Sequence, residues 1–118
     1  MSFGWPPRLG PAGIDLVKPI VDSAPTAIAG VYQSVDENTL VTLGGAGSYD
    51  PEGEAVTYAW SQVSGPSVTL IGANRASTTF TAPDIAESTT LLFMLEVCDE
   101  ADPTSLCGAD WVTVTVRP

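Results

Sequence analysis

The fold is decided by Ala55-Val56-Thr57-Tyr58-Ala59-Trp60-Ser61-Gln62, residues 55–62 of a chain of 118. Val56, Tyr58 and Trp60 occupy alternate positions, and small or polar residues stand between them. Because successive side chains of a β-strand point to opposite faces, this alternation predicts a strand with one face in a core. No segment repeats apolar residues with the 3.6-residue period of a capped helix, so we expect no helix of any length.

The same alternation recurs towards the C-terminus. Val112, Val114 and Val116 alternate with threonines, which predicts one buried and one solvated face of an antiparallel sheet. In residues 89–98 the predicted inward side chains are Leu91, Phe93, Leu95 and Val97. Leu92 and Met94 lie on the other face and are also apolar, which indicates that the outer side of this strand is partly covered. The predicted core comprises Val56, Tyr58, Trp60, Phe93, Leu95, Val112 and Val114.

Seven runs of this kind, each bounded by Gly, Pro, Asn or Asp, follow one another at the spacing typical of a β-sandwich. They are Pro25–Val31, Thr39–Leu43, Ala55–Gln62, Ser67–Leu70, Ser77–Thr81, Thr89–Cys98 and Asp110–Arg117. Asp50-Pro51-Glu52-Gly53 suits a type I turn between two of them. The sequence therefore predicts an all-β, seven-stranded antiparallel sandwich.

The N-terminal part of the chain has a different composition. Residues 1–21 are rich in Pro and Gly, which predicts an extended arm, and residues 22–118 form the predicted domain. The arm carries more apolar side chains than it can bury, so we expect it to dock onto a partner protein. An interdomain linker, or an edge strand folded back on the domain, is the alternative. The predicted docking residues are Phe3, Trp5, Leu9, Ile14, Leu16 and Ile20.

Size and charge exclude several classes of protein. A chain of 118 residues has room for one domain. Its 14 acidic and 4 basic residues give a formal net charge of −10, which disfavours nucleic acid and anionic membrane surfaces as partners. No apolar run approaches the ~18 residues of a membrane helix, so membrane insertion is not expected.

Three further stretches complete the pattern. Val41-Thr42-Leu43-Gly44-Gly45-Ala46-Gly47-Ser48-Tyr49-Asp50-Pro51-Glu52-Gly53-Glu54 precedes the decisive strand, and Thr79-Phe80-Thr81-Ala82-Pro83 and Leu95-Glu96-Val97-Cys98-Asp99 follow it. Together, over roughly residues 24–116, they resemble a PKD-like (polycystic-kidney-disease-type) immunoglobulin-like module. Trp60 is followed by Ser61 and Gln62, whereas the family usually has Trp-Asp-Phe-Gly-Asp-Gly. This departure weakens any transfer of ligand specificity.

The resemblance carries three implications. It implies an immunoglobulin-like sandwich in which Trp60 is the central core tryptophan. It implies a non-catalytic module of the kind used as a spacer or in adhesion. It also implies that the turn at residue 50 and the loop after residue 98 lie at one end of the sandwich.

Acidic residues in these two loops make Ca²⁺ a candidate ligand. Calcium takes six to eight hard oxygen ligands, which carboxylates and loop carbonyls supply. Matching the positions of the family motif gives Asp50, Glu52 and Asp99 as the predicted ligands. The alternative is that Asp50 caps its own turn and the other acids are only solvated. No other cofactor is expected.

Cys98 and Cys107 are the chain's two cysteines, and they flank a polar loop between the last two predicted strands. They could face each other across the neck of that hairpin, which predicts a disulfide. Two buried, reduced thiols are the alternative for a protein kept in a reducing compartment. Zinc is disfavoured, because two Cys without His leave only carboxylates to complete a tetrahedral site.

Catalytic arrangements are missing from the sequence. There is no His to act as general base, no Gly-x-Ser-x-Gly elbow, and no apolar pocket around the paired carboxylates that would raise one pKa for acid catalysis. We therefore predict that the chain is not an enzyme. Trp111 points away from the valine face and could stack on a carbohydrate, although packing is the simpler interpretation.

Two functional classes remain. The first, which the sequence favours, is a structural surface protein that its arm docks onto a larger assembly such as a virion capsid or tail. Residues 1–8 lack the basic start and apolar stretch of a secretory signal peptide, which fits this class if Met1 is a natural start. The second is an extracellular spacer or ligand-binding module of a bacterial adhesin or carbohydrate-active enzyme. The expected location is accordingly a virion surface or the cell exterior.

Overall fold

The computed structural model describes residues 23–100 and 105–118. Within them lie six β-strands: β1 (Gln33–Asp36), β2 (Leu40–Gly44), β3 (Val56–Ser64), β4 (Ser77–Thr81), β5 (Thr89–Asp99) and β6 (Cys107–Arg117). The described residues contain no helix that is long and apolar enough to cross a membrane. The all-β class predicted from the sequence is confirmed.

The strands form two sheets that face each other. One sheet has four strands in the order β1-β6-β5-β3, and the other pairs β2 with β4. All neighbours are antiparallel except β1 and β6, which run parallel from Gln33 opposite Val114 to Asp36 opposite Arg117. The prediction of an antiparallel sandwich therefore holds for every pair but this one.

The core fills the space between the sheets. Phe80 on β4 and Phe93 on β5 meet across it with their ring centroids 4.9 Å apart. Of the predicted core, Trp60, Phe93, Leu95, Val112 and Val114 are buried, while Val56 and Tyr58 are half-buried and pack against that cluster. Val56, Tyr58 and Trp60 all lie on the edge strand β3, but the loop at residues 73–76 covers Trp60, since Trp60 N donates to Ala73 O and the indole donates to Arg75 O.

The first predicted run, Pro25–Val31, is not a strand. It makes one isolated bridge, between Thr26 and Tyr49, and two of its other backbone N–H groups bond to side chains. Ile28 donates to Ser48 Oγ at 2.8 Å and Ala29 donates to Asp110 Oδ2 at 2.8 Å. A left-handed Gly30, with φ of +88°, then redirects the chain, and the strand begins at Gln33 instead.

The fourth predicted run, Ser67–Leu70, is not a strand either. Its backbone bonds to the side chain of Gln62, whose Oε1 accepts from Val68 N at 3.0 Å and whose Nε2 donates to Pro66 O at 2.7 Å. Pairing with β4 is confined to Ile71, which exchanges two hydrogen bonds with Thr79. The described chain therefore has six strands where the sequence predicted seven.

The first and last described residues lie at opposite ends of the sandwich. Ser23 N donates to Glu52 Oε1, beside the turn that precedes β3, whereas Arg117 closes β6 at the far end, where Glu37 N donates to Arg117 O at 2.7 Å. Strand β6 has 11 residues, so these ends are separated by roughly 35 Å. The predicted arm, with its six docking residues, lies outside the described residues.

Candidate functional site

A tight turn before β3 fixes the first carboxylate of the site. Gly53 N donates to Asp50 O at 2.9 Å, and Gly53 has a φ of +76°, which suits glycine at this position. The side chain of Asp50 folds over the same turn, since its Oδ2 accepts from the N–H groups of Glu52 and Glu54 at 2.8 and 3.1 Å. The turn predicted from Asp50-Pro51-Glu52-Gly53 is confirmed.

The last residue of β5 supplies the second carboxylate. Asp99 is only 2% exposed, and its backbone N–H bonds to Leu106 O at 2.9 Å. Its Oδ1 accepts from Leu106 N at 3.0 Å, and its carbonyl accepts from Ser105 Oγ at 2.7 Å. Asp99 therefore holds the two ends of the loop between β5 and β6 together.

Asp50, Glu54 and Asp99 come together at this end of the sandwich. One carboxylate oxygen from each lies within 4.8 Å of the other two. Two of the predicted calcium ligands, Asp50 and Asp99, thus belong to one cluster. Glu52 is not in it, because its carboxylate accepts from Ser23 N at 3.2 Å instead.

Glu54 was missed because the sequence does not reveal the exact path of the turn. The backbone N–H of Glu54 is drawn onto Asp50 Oδ2, which brings the residue beside the end of β5. Its position two residues before β3, which pairs with β5, is the signal that could have indicated it. The sequence prediction instead followed the position of Glu52 in the family motif.

The donor set fits a hard divalent cation. Asp50 is 7% exposed, and its Oδ1 has no hydrogen-bond partner among the described residues. A buried carboxylate oxygen without a partner is costly, and a bound cation would satisfy it. Three carboxylates at close range also repel one another when no cation lies between them. Oxygen donors of this kind are those that Ca²⁺ prefers.

A disulfide lies beside the carboxylates. Cys98 and Cys107 face each other across β5 and β6 with an S–S distance of 2.02 Å and a Cα–Cα distance of 4.0 Å. The predicted disulfide is confirmed. Glu96 also lies close to both cysteines, but the two sulfurs are bonded to each other, so they are not thiolate ligands for a metal.

Trp111 lies on the outer face of the four-stranded sheet. Its side chain is 52% exposed, and its register partner on β5 is Met94. The outward orientation predicted for Trp111 is therefore correct. Stacking on a sugar at this residue stays a prediction.

Two facing sheets, a buried central tryptophan and a hairpin disulfide define an immunoglobulin-like β-sandwich module. The family model described as "K319L-like, PKD domain" matches residues 29–116. The chain belongs to the K319L-like PKD domain family. No curated protein sequence matches it.

Three solved structures illustrate the relationship. The PKD domain from the KIAA 1837 protein is 29% identical with a TM-score of 0.63, over 82% of this chain and 90% of that one. The PKD domain of human KIAA0319 is 18% identical with a TM-score of 0.62, over 90% and 92%. A nucleoside hydrolase-related hypothetical protein from Saccharophagus degradans, associated with carbohydrate metabolism, is 22% identical with a TM-score of 0.70 over 81% of this chain.

The matched region makes up a different fraction of the length of each of these proteins. This chain spans about a quarter of the Saccharophagus protein, 26% of its length, but nearly all of the two isolated PKD domains. PKD domains are generally non-catalytic modules, and the family together with the disulfide is typical of extracellular proteins. The chain is thus a PKD-like module that fits a non-enzymatic role outside the cell.

Proposed function

We propose that the chain is a non-enzymatic spacer module of a surface-exposed or secreted protein. The observation that supports this role best is the separation of its ends. Ser23 lies beside Glu52 at one end of the sandwich, and Arg117 lies at the other. Segments joined before residue 23 and after residue 118 would therefore be held apart by the length of the module. The match to part of a longer protein agrees with this arrangement.

A second candidate function is docking onto a larger assembly, such as a virion capsid or tail, through the arm. The observation in its favour is the row of apolar side chains in residues 1–21, which an extended arm cannot bury by itself. The partner would be a protein with a complementary apolar groove. In both functions the sandwich itself serves as a stable, folded scaffold.

Deletion of residues 1–21 separates these two functions. In both cases we expect the truncated chain to unfold cooperatively, with a free energy of unfolding within ~1 kcal/mol of the full chain, since the predicted domain begins at residue 22. Calorimetry measures this. Co-sedimentation with a candidate assembly is then lost on truncation if the arm docks, and is unaffected if the module is a spacer. Loss of cooperative unfolding would contradict both functions and make the arm an integral strand.

The carboxylate cluster is proposed to bind Ca²⁺ at the end of the module where the chain enters from the arm. Asp50, Glu54 and Asp99 would hold the ion, and its positive charge would offset the repulsion between their three carboxylates. Ser23 and Thr26 lie against the same turn, through Glu52 and Tyr49. A bound cation would therefore stiffen the junction between the arm and the sandwich.

Calcium is expected to raise the melting temperature in a saturable way. Binding to the folded state alone stabilises it by ~2.7 kcal/mol when the free ion reaches about 100 times its dissociation constant. Asp99→Asn and Glu54→Gln should reduce the shift, whereas Glu52→Gln, the matched control on the same turn, should keep it. Differential scanning fluorimetry with and without calcium measures these shifts. No shift in melting temperature at millimolar calcium, or an undiminished shift in Asp99→Asn, would contradict the proposed calcium site.

A further inference from the structure

An open groove of about 400 Å³ lies beside β4, on the two-stranded sheet. This volume falls in the range of roughly 300–1,000 Å³ found for small-molecule sites. The residues that line the groove combine a guanidinium, an amide, two hydroxyls, a glycine and one aliphatic side chain. They are Ile71, Gly72, Asn74, Arg75, Ser77 and Thr79.

The loop that forms one wall of the groove is clamped to the core. Trp60 N donates to Ala73 O at 2.7 Å, and the Trp60 indole donates to Arg75 O at 3.1 Å. Gly45 N donates to Ala76 O at 2.7 Å. Because the buried tryptophan holds this loop through its backbone, the backbone of this wall needs little ordering on binding.

The side chain of Arg75 is held over the same loop. Gly72 has a φ of +80°, and Arg75 N donates to its carbonyl at 3.0 Å. A Cβ built on Gly72 would lie 3.4 Å from Arg75 Cδ, so the stem of the arginine passes directly over the glycine. Within residues 23–100 and 105–118, Arg75 forms no ion pair, in contrast to Arg117, which contacts Asp36 at 2.9 Å.

The two strands of the sheet beside Arg75 are neutral, although the chain as a whole is acidic. Neither β2 nor β4 contains a charged residue, whereas the whole chain carries a formal net charge of −10. An anionic group that reaches this face therefore meets a guanidinium without a competing carboxylate on either strand. Arginine binds a carboxylate through two parallel hydrogen bonds, which gives both affinity and orientation.

We propose that this groove binds a carboxylate-bearing saccharide of the uronic acid type. Arg75 would contact the carboxylate, and Asn74, Ser77 and Thr79 would exchange hydrogen bonds with ring hydroxyls. Ile71, 66% exposed at the rim, offers an aliphatic surface to the C–H face of the sugar. Neutral hydroxyl and amide groups match a polyhydroxylated ring better than an acidic peptide. The site is independent of the spacer role and of the cation cluster.

Titration with tri-galacturonate, followed by backbone amide NMR, tests the proposal. We expect saturable shifts at Ile71, Gly72 and Thr79. Arg75→Gln should weaken binding roughly tenfold or more, since a charge-assisted hydrogen bond is lost. Arg117→Gln is the matched control, because it removes the other described arginine far from the groove, and it should bind as the parent does. The NMR spectrum of each variant also reports whether it is folded.

Two further ligands decide what the groove recognises. A neutral trisaccharide, maltotriose, should bind at least several-fold more weakly than tri-galacturonate. Equal binding would overturn the role of Arg75. Tri-glutamate tests the peptide alternative, and shifts at the same amides with equal or higher affinity would overturn the assignment to a sugar. Absence of saturable shifts with tri-galacturonate, or equal weakening by Arg117→Gln, would overturn the site itself.

Discussion

Replacing Trp60 with Ala is expected to lower the free energy of unfolding by ~3–5 kcal/mol, a large share of the ~5–15 kcal/mol of a typical domain. The indole is 5% exposed, and its N–H donates to the carbonyls of Arg75 and Ala76. The substitution thus leaves a cavity and removes the indole donor from Arg75 O, while Ala76 O keeps its hydrogen bond from Gly45 N. Urea unfolding followed by circular dichroism measures the loss.

Trp111→Ala is the matched control for this prediction. It removes the same side chain from a position that is 52% exposed, so we expect a loss of no more than ~1 kcal/mol. A free energy of unfolding of Trp60→Ala within ~1 kcal/mol of that of the parent would contradict the role of Trp60 as the centre of the core. Equal losses for the two variants would show that the size of the indole, not its burial, sets the effect.

Removing the disulfide is expected to lower the free energy of unfolding by ~2.5–3 kcal/mol in the chain-entropy model. Cys98 and Cys107 are 9 residues apart, so the bond closes a short loop that the unfolded chain would otherwise leave open. The double variant Cys98→Ser with Cys107→Ser tests this by urea unfolding. Thiol alkylation and mass measurement, with and without reductant, establish the bond in the parent.

Reductant provides the control for the double variant. It should destabilise the parent by the same amount and leave the serine variant unchanged, because that variant has no bond to reduce. Free thiols at both positions in protein kept under air would contradict the disulfide. A parent that reductant does not destabilise would show that the hydrogen bonds of Asp99 to Leu106 are sufficient to hold the loop.

Local alternation was enough to predict most of the fold. The runs at residues 77–81, 89–98 and 110–117 fall within strands, the run at 55–62 does so except for its first residue, and together they supply the buried Trp60, Phe93 and Leu95. The prediction succeeds because a strand with one buried face shows its two-residue period in consecutive residues, so a short segment is enough to identify it. The fractional burial of Tyr58 was not predictable, since alternation shows which face of a strand is inward but not which loops cover it.

The failures concern hydrogen-bond partners that are distant in the sequence. Ala29 N bonds to Asp110, which is 81 residues away. Gln33 pairs with Val114 in a parallel register, which no local sequence pattern predicts. Side-chain oxygens of Ser48, Asp110 and Gln62 replace the backbone ladder in the two segments wrongly predicted as strands.

The candidate site was predicted in part for a related reason. Asp50 and Asp99 follow from the two loops, but the choice between Glu52 and Glu54 depends on the hydrogen bonds of a single turn. The groove beside β4 was not predicted at all, because Arg75 is brought over it by the left-handed Gly72 and by the anchoring of its loop to Trp60.

The parallel pairing of β1 with β6 determines how the module would resist a pulling force. Tension between residue 23 and residue 118 would draw β1 towards one end of the sandwich and β6 towards the other. The bonds between Gln33–Asp36 and the end of β6 would then be loaded in shear, all at once, together with the Arg117–Asp36 ion pair. Strands loaded in this way must break their bonds together, whereas a hairpin pulled open at its end loses them one by one.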